Sequence, residues 1–150
     1  MTFRTTEEIL RFAIDQEEKA RDFYLALAER VTSPQVRKAM LDFAEEEAGH
    51  KRKLEEVLAG RMDALPAEAP EDLRLSDAMP ELVATPDMDY QAALALAMKA
   101  EDRMRQLYEG LAASARDAAM RELFIALARE EGEHKLLFER AYDDDINREN

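Results

Sequence analysis

Cysteine and tryptophan are absent from this 150-residue chain, and glycine occurs only four times. Without cysteine the chain can form no disulfide, no thiolate zinc site and no iron–sulfur centre. Valine, isoleucine and threonine, which favour strands, are scarce, whereas alanine, leucine, glutamate, lysine and arginine dominate. The composition therefore predicts an all-α fold, and the length suits one domain spanning residues 1–150.

Long apolar runs and an excess of positive charge are also missing. The formal net charge is −13, and an acidic surface is repelled by nucleic acid and by anionic membranes. No run of about 18 apolar residues occurs, as a membrane helix would need, and the N-terminal sequence MTFRTTEEIL lacks the apolar core of a signal peptide. We therefore expect a cytoplasmic protein that binds neither nucleic acid nor membranes.

Helical periodicity of the apolar residues is confined to four segments. They cover residues 7–31, 34–59, 88–114 and 118–141. The short turns between the first two segments, and between the last two, predict a pair of antiparallel hairpins over residues 7–60 and 88–141. Residues 61–87 contain four prolines and lack a sustained apolar period. We predict that this stretch forms a long crossover between the hairpins.

Capping residues mark the expected helix ends. Thr5 with Glu8 resembles a capping box, and Ser33 precedes a proline that suits the first helical position. Asp117 is a further N-cap, and Gly60 is a C-terminal stop signal. These signals support the helix boundaries that the periodicity predicts.

The two hairpins are copies of one repeat, because a shift of 84 positions aligns the second with the first without a gap. The shift pairs Glu17 with Glu101, Tyr24 with Tyr108, Glu46 with Glu130, Glu47 with Glu131 and His50 with His134. Two copies of one hairpin are expected to pack about a pseudo-two-fold axis.

Each helix has a seam of apolar residues, spaced alternately three and four apart, that should face the bundle interior. Every seam is interrupted by polar residues at one level only. These residues are Glu17, Glu47, His50, Glu101, Glu131 and His134. An isolated ionised group would cost several kcal/mol to bury there, whereas two divalent cations would neutralise four carboxylates and accept two neutral imidazoles. The seams therefore predict a two-metal site, with a protonated or water-filled polar layer as the metal-free alternative.

The spacing of these residues strengthens the metal interpretation. A single Glu-x-x-His in so acidic a chain is weak evidence, since it is more often a surface pair. Here both copies lie on a seam, and each places its two side chains on one helix face. One glutamate from each of two helices plus Glu-x-x-His from each of the other two is the arrangement of di-metal carboxylate bundles.

Several polar residues near the seams have a less direct expected role. Tyr24 and Tyr108 lie two turns beyond Glu17 and Glu101 on the same faces, where their phenols could donate hydrogen bonds to ligand carboxylates, or equally to another buried acceptor. The remaining acids lie one or two positions off the seam and are expected to face solvent or flank the site entrance. They are Glu18, Glu46, Glu130 and Glu133.

The ligand set constrains the identity of the metal. Four carboxylates and two imidazoles without sulfur suit iron or manganese, and zinc would also bind. Iron is the best functional match, because two irons bridged by glutamate can share the electrons of a bound peroxide or dioxygen. We therefore predict two iron ions per chain.

The motifs around these residues resemble those of the rubrerythrin branch of the ferritin-like superfamily. They are EEKARDFY beginning at Glu17, EEEAGH ending at His50, EDRMRQLY beginning at Glu101 and EEGEH ending at His134. The resemblance covers both hairpins and implies a ferritin-like four-helix bundle with a di-iron centre. It implies Glu17 and Glu101 as terminal or bridging ligands, with the two Glu-x-x-His pairs completing the centre. It also implies peroxide reduction or iron oxidation, and a homodimer.

Two departures from the family pattern affect these expectations. Full-length rubrerythrins carry a four-cysteine rubredoxin-like domain that supplies electrons, so this cysteine-free chain would need an external electron donor. Family members often have a further carboxylate ligand one turn after the third-helix glutamate, where this chain has Met104. We therefore do not expect redox-linked ligand exchange at one iron.

Three functions are compatible with the sequence. The first is a di-iron oxidoreductase that reduces hydrogen peroxide or dioxygen, or oxidises Fe(II). The second is a non-catalytic iron-binding or iron-handling module. The third is a structural bundle in which metal only holds the hairpins together.

Overall fold

The computed structural model of this chain describes residues 2–74, 81–82, 87 and 89–149. Its four α-helices are α1 (Thr6–Ala28), α2 (Pro34–Gly60), α3 (Tyr90–Ser114) and α4 (Ala118–Glu149). Two short 3-10 turns, Met62–Ala64 and Glu71–Leu73, follow α2. The predicted all-α four-helix bundle is confirmed. None of the helices in the described part of the chain is long and apolar enough to cross a membrane.

The first two helices begin at the predicted capping residues. The Thr5 hydroxyl accepts a hydrogen bond from the Glu8 backbone N–H, and Ser33 caps α2 through the N–H of Val36, with Pro34 as its first residue. The Glu8 carboxylate accepts from the backbone N–H of Arg4, at 3.2 Å. In the predicted capping box, Glu8 would accept from the N–H of Thr5, but here it accepts from the N–H of the preceding residue, Arg4. The helix still begins after Thr5, as predicted.

The second hairpin differs more from the predicted boundaries. Its first helix, α3, begins after Asp89, whose side chain accepts from the N–H of Ala92. Asp117 caps α4 through a 2.8 Å bond from the N–H of Met120, as predicted. However, α4 continues to Glu149, well past the predicted end at residue 141.

The chain passes from one hairpin to the other through the crossover, whose first part is anchored to the N-terminal residues. The backbone N–H of Phe3 donates to the carbonyl of Arg74 at 2.6 Å, and the N–H of Ala69 donates to the carbonyl of Arg4 at 3.0 Å. These bonds hold residues 67–74 beside the start of α1. The predicted crossover prolines Pro80 and Pro86 lie outside the described residues.

Two apolar clusters fill the bundle interior, one on each side of the level where the seams become polar. One includes Leu10, Leu54 and Phe124, and the other includes Met40 and Phe138, all fully buried. Burying one such side chain contributes about 1.5–3 kcal/mol. The polar level is therefore enclosed by close-packed apolar layers that keep water away from it.

Candidate metal centre

All six predicted ligands meet at one level of the bundle, and all four helices contribute. Glu17 comes from α1, Glu47 and His50 from α2, Glu101 from α3, and Glu131 and His134 from α4. Each is at most 1% exposed. Because the seams bring these side chains to the same height, the closing of the bundle assembles the cluster.

The cluster divides into two overlapping groups, each with ligand atoms that lie within 4.8 Å of one another. The first half-site consists of Glu17, Glu47, His50 and Glu131, and the second half-site consists of Glu47, Glu101, Glu131 and His134. Glu47 and Glu131 belong to both half-sites, whereas Glu17 and Glu101 each belong to one. Cations bound in the two half-sites would both be contacted by Glu47 and Glu131, which we call the bridging carboxylates, whereas Glu17 and Glu101, the terminal carboxylates, would each contact one.

Both histidine rings turn the same nitrogen toward the carboxylates. His50 Nδ1 lies 2.9 Å from Glu131 Oε1, 3.4 Å from Glu47 Oε1 and 3.5 Å from Glu17 Oε2. His134 Nδ1 lies 3.1 Å from Glu47 Oε1 and 3.5 Å from Glu101 Oε1. Nδ1 is therefore the atom that each imidazole presents to a cation in its half-site.

Buried polar atoms of the cluster lack hydrogen-bond partners among the described residues. They are Glu17 Oε2, Glu47 Oε1, Glu101 Oε2, Glu131 Oε2 and His134 Nδ1. Each unsatisfied buried polar atom costs about 1–3 kcal/mol, and more when the group is charged. Divalent cations would satisfy these atoms, and a set of oxygen and imidazole donors suits iron, manganese or zinc. The residues present therefore fit a two-metal centre.

The carboxylates affect one another's ionisation in the metal-free cluster. Burial raises the pKa of Glu47 well above its ordinary value, and the negative charges of Glu17 and Glu101 raise it further. Burial and the charges of Glu101 and Glu17 likewise raise the pKa of Glu131. For Glu17 burial also acts to raise the pKa, but the hydrogen bond and charge of His50 outweigh it and lower the pKa. The two bridging glutamates are therefore the ones most opposed to ionisation without a cation.

For the two histidines, burial and the neighbouring carboxylates change the pKa in opposite directions. Burial acts to lower the pKa of His134, but its contacts with Glu101 and Glu47 outweigh burial and raise the pKa to about 11. Burial likewise opposes a raised pKa at His50, where contacts with Glu17 and Glu130 raise it. The metal-free cluster therefore holds protons on its imidazoles, and metal binding must displace them from Nδ1.

Two buried tyrosines complete the inner hydrogen bonds. Tyr108 on α3 donates from its phenol to Glu17 Oε1, and Tyr24 on α1 donates to Glu101. Burial raises the pKa of both phenols well above 10, and the charges of Glu101 and Glu17 raise it further. Both phenols therefore stay protonated and act as donors to the terminal carboxylates, one of the two roles that the sequence left open.

The outer carboxylates Glu46 and Glu130 lie beside the site, as expected, but they also contact the ligand histidines, which the sequence did not predict. Glu46 Oε2 lies 2.5 Å from His134 Nε2, and Glu130 Oε2 pairs with His50 Nε2. Their side chains remain 48% and 30% exposed, but their carboxylates point inward, because a glutamate side chain is long enough to reach a ring on the facing helix. Glu18 and Glu133 are exposed, as expected. The repeat, which pairs position 46 with 130, was the available signal for these contacts.

Comparison with known proteins places these features in a family. A sequence model described as rubrerythrin matches residues 8–142, nearly the whole chain. This chain belongs to the rubrerythrin family. The match confirms the resemblance that the motifs around Glu17, His50, Glu101 and His134 indicate.

Solved structures agree with this fold. A hypothetical protein from Pyrococcus furiosus is 27% identical to this rubrerythrin-family chain, with a TM-score of 0.76 over 94% of this chain and 90% of the other. A putative ferritin-like diiron-carboxylate protein from Thermotoga maritima is 18% identical, with a TM-score of 0.79 over 97% of this chain and 99% of the other. At that identity the second likeness shows the fold alone. A search of curated proteins gives no match.

A small cavity adjoins the second half-site of this rubrerythrin-family chain. Its volume is about 10 Å³, room for roughly one water molecule. Gln16, Tyr24, Leu82, Glu101 and Met104 contribute to its walls. Met104, which occupies the position of the family's additional carboxylate, is buried and gives this cavity an apolar wall. This space beside the ligands is therefore small.

Proposed function

We propose that this chain binds two iron ions in its two half-sites and acts as an oxidoreductase that reduces hydrogen peroxide or dioxygen, or oxidises Fe(II). The observation that carries the proposal is the pair of overlapping ligand groups that share Glu47 and Glu131. A site for a single structural ion has no need of two shared carboxylates and two symmetric imidazoles. Family membership supports the same reading.

Each part of the site has a role in this proposal. Glu47 and Glu131 would span the two ions, Glu17 and Glu101 would each close one half-site, and each imidazole would bind through Nδ1. Two irons held together can exchange two electrons, the number needed to cleave the O–O bond of a peroxide. The apolar clusters on either side exclude water and strengthen electrostatic interactions within the site.

The residues of the cavity suit a very small substrate. The cavity of about 10 Å³ lies beside Glu101 and Tyr24. Since it has room for roughly one water molecule, dioxygen or hydrogen peroxide would enter it only with a small shift of the lining side chains. Tyr24 lines this space with a phenol that holds its proton. A substrate there would meet a hydrogen-bonding phenol on one side and the apolar Met104 on another.

Turnover requires electrons that this chain cannot store in a second centre of its own. It has no cysteine and so no rubredoxin-like centre. We therefore propose an external electron donor as a partner, and, from family resemblance, a homodimer as the assembly.

Iron binding without catalysis is the second candidate. It is favoured by Met104, which cannot supply the additional carboxylate that often accompanies the third-helix glutamate in the family. In that case the same half-sites would take up iron, but reaction of the reduced centre with peroxide or dioxygen would be slow or absent.

The decisive experiment reconstitutes the protein with Fe(II) under anaerobic conditions, measures iron per chain, and mixes the reduced protein with hydrogen peroxide or dioxygen in a stopped-flow spectrometer. An oxidoreductase oxidises its iron rapidly and can be reduced and reoxidised repeatedly. Stoichiometric iron with no fast oxidation supports the iron-binding module instead. A chain that takes up no iron refutes both. Glu47→Ala with Glu131→Ala serves as the control for oxidation of loosely bound iron.

A further inference from the structure

The cavity beside the second half-site lies between α1 and α3. Gln16 and Ala20 of α1 line it, and so do Ala100 and Met104 of α3, the residues that the shift of 84 positions pairs with them. Residues four apart on a helix share one face, so each helix turns one such face to the cavity. Both bridging carboxylates border the same space. The cavity is therefore a space at the metal centre that the two hairpins enclose together.

Gln16 is the polar member of these two pairs. It is only 9% exposed, and no hydrogen bond joins its amide to another described residue. Burial of an amide without a hydrogen-bond partner is unfavourable, and the repeat does not require an amide here, since the equivalent residue is Ala100. Gln16 therefore brings an unused hydrogen-bonding group to a cavity whose facing wall on α3 includes the apolar Ala100 and Met104.

The other polar side chains around the cavity already have a role. The phenol of Tyr24 donates its hydrogen bond to Glu101, and Glu47, Glu101 and Glu131 all belong to the second half-site. Among the described residues that line the cavity, Gln16 is left as the side chain that can both donate and accept a hydrogen bond with a small molecule there.

The amide of Gln16 matches hydrogen peroxide better than dioxygen. It has two N–H donors and one carbonyl acceptor, and peroxide has O–H groups to donate and oxygen lone pairs to accept. Dioxygen has no hydrogen to donate and accepts hydrogen bonds only weakly. A site that hydrogen-bonds an O–H group discriminates against a molecule that lacks one. The small shift that peroxide needs in order to enter is available to Gln16, because no hydrogen bond holds its amide in place.

We propose that Gln16 is the specificity-determining residue of this cavity: its amide binds hydrogen peroxide there and so favours peroxide over dioxygen. This inference rests on the proposed function, because it concerns the choice between two substrates of the same site. It assigns to Gln16 a contact with the substrate and no contact with the metal ions.

The test removes the amide in two variants of similar side-chain volume, Gln16→Leu and Gln16→Met. Gln91→Leu is the matched control, because Gln91 also has a buried Nε2 without a hydrogen-bond partner among the described residues, but it lies at the start of α3 and does not line the cavity. Iron content after anaerobic reconstitution is measured for every variant. Equal iron content shows that the fold and the six ligands are intact.

Peroxide binding is measured without turnover in the Zn(II)-loaded protein, because Zn(II) is not redox-active. Met104 lines the cavity, so the NMR signal of its ¹³C-labelled methyl group, assigned with Met104→Leu, should shift as peroxide is added. Removal of peroxide by catalase should restore the signal, which distinguishes binding from oxidation of the sulfur. Selectivity is measured with the Fe(II) protein, as the ratio of the rate constants for oxidation by peroxide and by dioxygen in a stopped-flow spectrometer.

The parent should show a saturable and reversible shift of the Met104 signal. In both Gln16 variants the dissociation constant for peroxide should rise about 3- to 10-fold, the effect of one lost hydrogen bond. The ratio of the two rate constants should fall by the same factor, while the rate constant for dioxygen stays within about twofold of the parent. Gln91→Leu should match the parent in both measurements.

Three results would overturn the inference. If peroxide causes no reversible shift in the parent, or if the Gln16 variants keep the parent's peroxide affinity and ratio of rate constants, Gln16 does not select the substrate, and the proposed function is unaffected. If the rate constants for peroxide and dioxygen fall equally, Gln16 supports the site without discriminating between them. A parent that takes up iron but reacts with neither oxidant refutes the proposed oxidoreductase, and this inference fails with it.

Discussion

The phenol of Tyr108 donates a hydrogen bond to Glu17 Oε1, 2.5 Å away, and so links α3 of the second hairpin to α1 of the first. Tyr24 makes the equivalent bond to Glu101 in the opposite direction. All four side chains are at most 1% exposed. Each terminal carboxylate therefore depends on a phenol of the other hairpin for a hydrogen bond that water cannot replace.

Tyr108→Phe tests this dependence. Removing the donor leaves a buried carboxylate oxygen of Glu17 unsatisfied, which should lower the free energy of unfolding of the metal-free protein by about 1–3 kcal/mol. Tyr142→Phe is the matched control, because Tyr142 is only partly buried and packs against an apolar cluster outside the polar level. Urea unfolding followed by circular dichroism measures both variants. If both variants lose the same free energy of unfolding, the hydrogen bond from Tyr108 contributes no extra stability.

The division into half-sites predicts unequal effects of removing single ligands. Glu17 belongs to one half-site and Glu47 to both, so Glu17→Ala should retain close to one ion per chain and Glu47→Ala close to none. The parent should hold two. Elemental analysis after anaerobic iron reconstitution and desalting gives these ratios. Glu18→Ala, which changes an exposed neighbour, should leave the metal content unchanged, and identical losses for Glu17→Ala and Glu47→Ala would contradict the bridging assignment.

Metal should strongly stabilise the fold, because it compensates buried carboxylates that otherwise repel one another. Binding to the folded state alone adds about 3–4 kcal/mol when free metal is 100 to 1,000 times its dissociation constant. Thermal melts with and without Fe(II) under anaerobic conditions should therefore show a clear rise in melting temperature. An unchanged melting temperature would argue against an interior site.

Glu17→Leu and Glu101→Leu, combined with Tyr24→Phe and Tyr108→Phe, should reverse this behaviour. The quadruple variant lacks both terminal ligands and should bind metal poorly. Its metal-free form should equal or exceed the metal-free parent in melting temperature, because two buried acids become packable apolar groups, the phenols that donated to them are removed as well, and the imidazoles keep Glu47 and Glu131 as partners. A quadruple variant much less stable than the metal-free parent would show that these glutamates stabilise the fold themselves. The same anaerobic melts provide the comparison.

Stability of the metal-free protein should fall as the pH rises. The pKa values of His50, His134, Glu47 and Glu131 are raised on folding, so the folded state holds protons that the unfolded chain releases. For His134 this contribution is complete below the unfolded pKa of 6.5 and is lost as the pH approaches about 11. The lowered pKa of Glu17 acts in the opposite sense, but only at pH values below its ordinary pKa of 4.5.

Melting temperatures recorded between pH 6.5 and about 9 would test this sign. The metal-free protein should become less stable across the range, whereas the metal-loaded protein should not, because bound cations replace the ligand protons and compete better as the pH rises. A metal-free melting temperature that is constant or increases over this range would show that the imidazoles do not hold these protons.

The architecture was predictable because each helix has its own apolar seam, and because the repeat shows the same two-helix pattern in both halves of the chain. The end of α4 at Glu149 was not. Residues 142–149 are mostly polar, so the periodicity that identifies a packed helix is weak there. A helix that runs beyond its packed segment leaves no such pattern.

The six clustered residues were predictable because burying acids and histidines on an apolar seam requires compensation. Their division into bridging and terminal positions was not, since the seams place Glu17, Glu47, Glu101 and Glu131 at one height without giving the distances between helices. The contact of Glu46 with His134 was not predicted, for a related reason. The direction of its Cβ atom places Glu46 off the seam, but the reach of its side chain to a facing helix is a tertiary property.

The crossed contacts of the histidines have the symmetry of the repeat. Position 46 meets position 134 and position 130 meets position 50, so each contact joins non-equivalent sites of two equivalent hairpins. A single hairpin facing an identical copy of itself would form one contact of this kind twice, from position 46 of each copy to position 50 of the other. Joining the two halves in one polypeptide allows their sequences to diverge. Phe43, which stacks on His134, is for example replaced by Leu127 at the equivalent position of the second hairpin. The centre can therefore acquire two chemically different ends, which two identical chains related by symmetry could not provide.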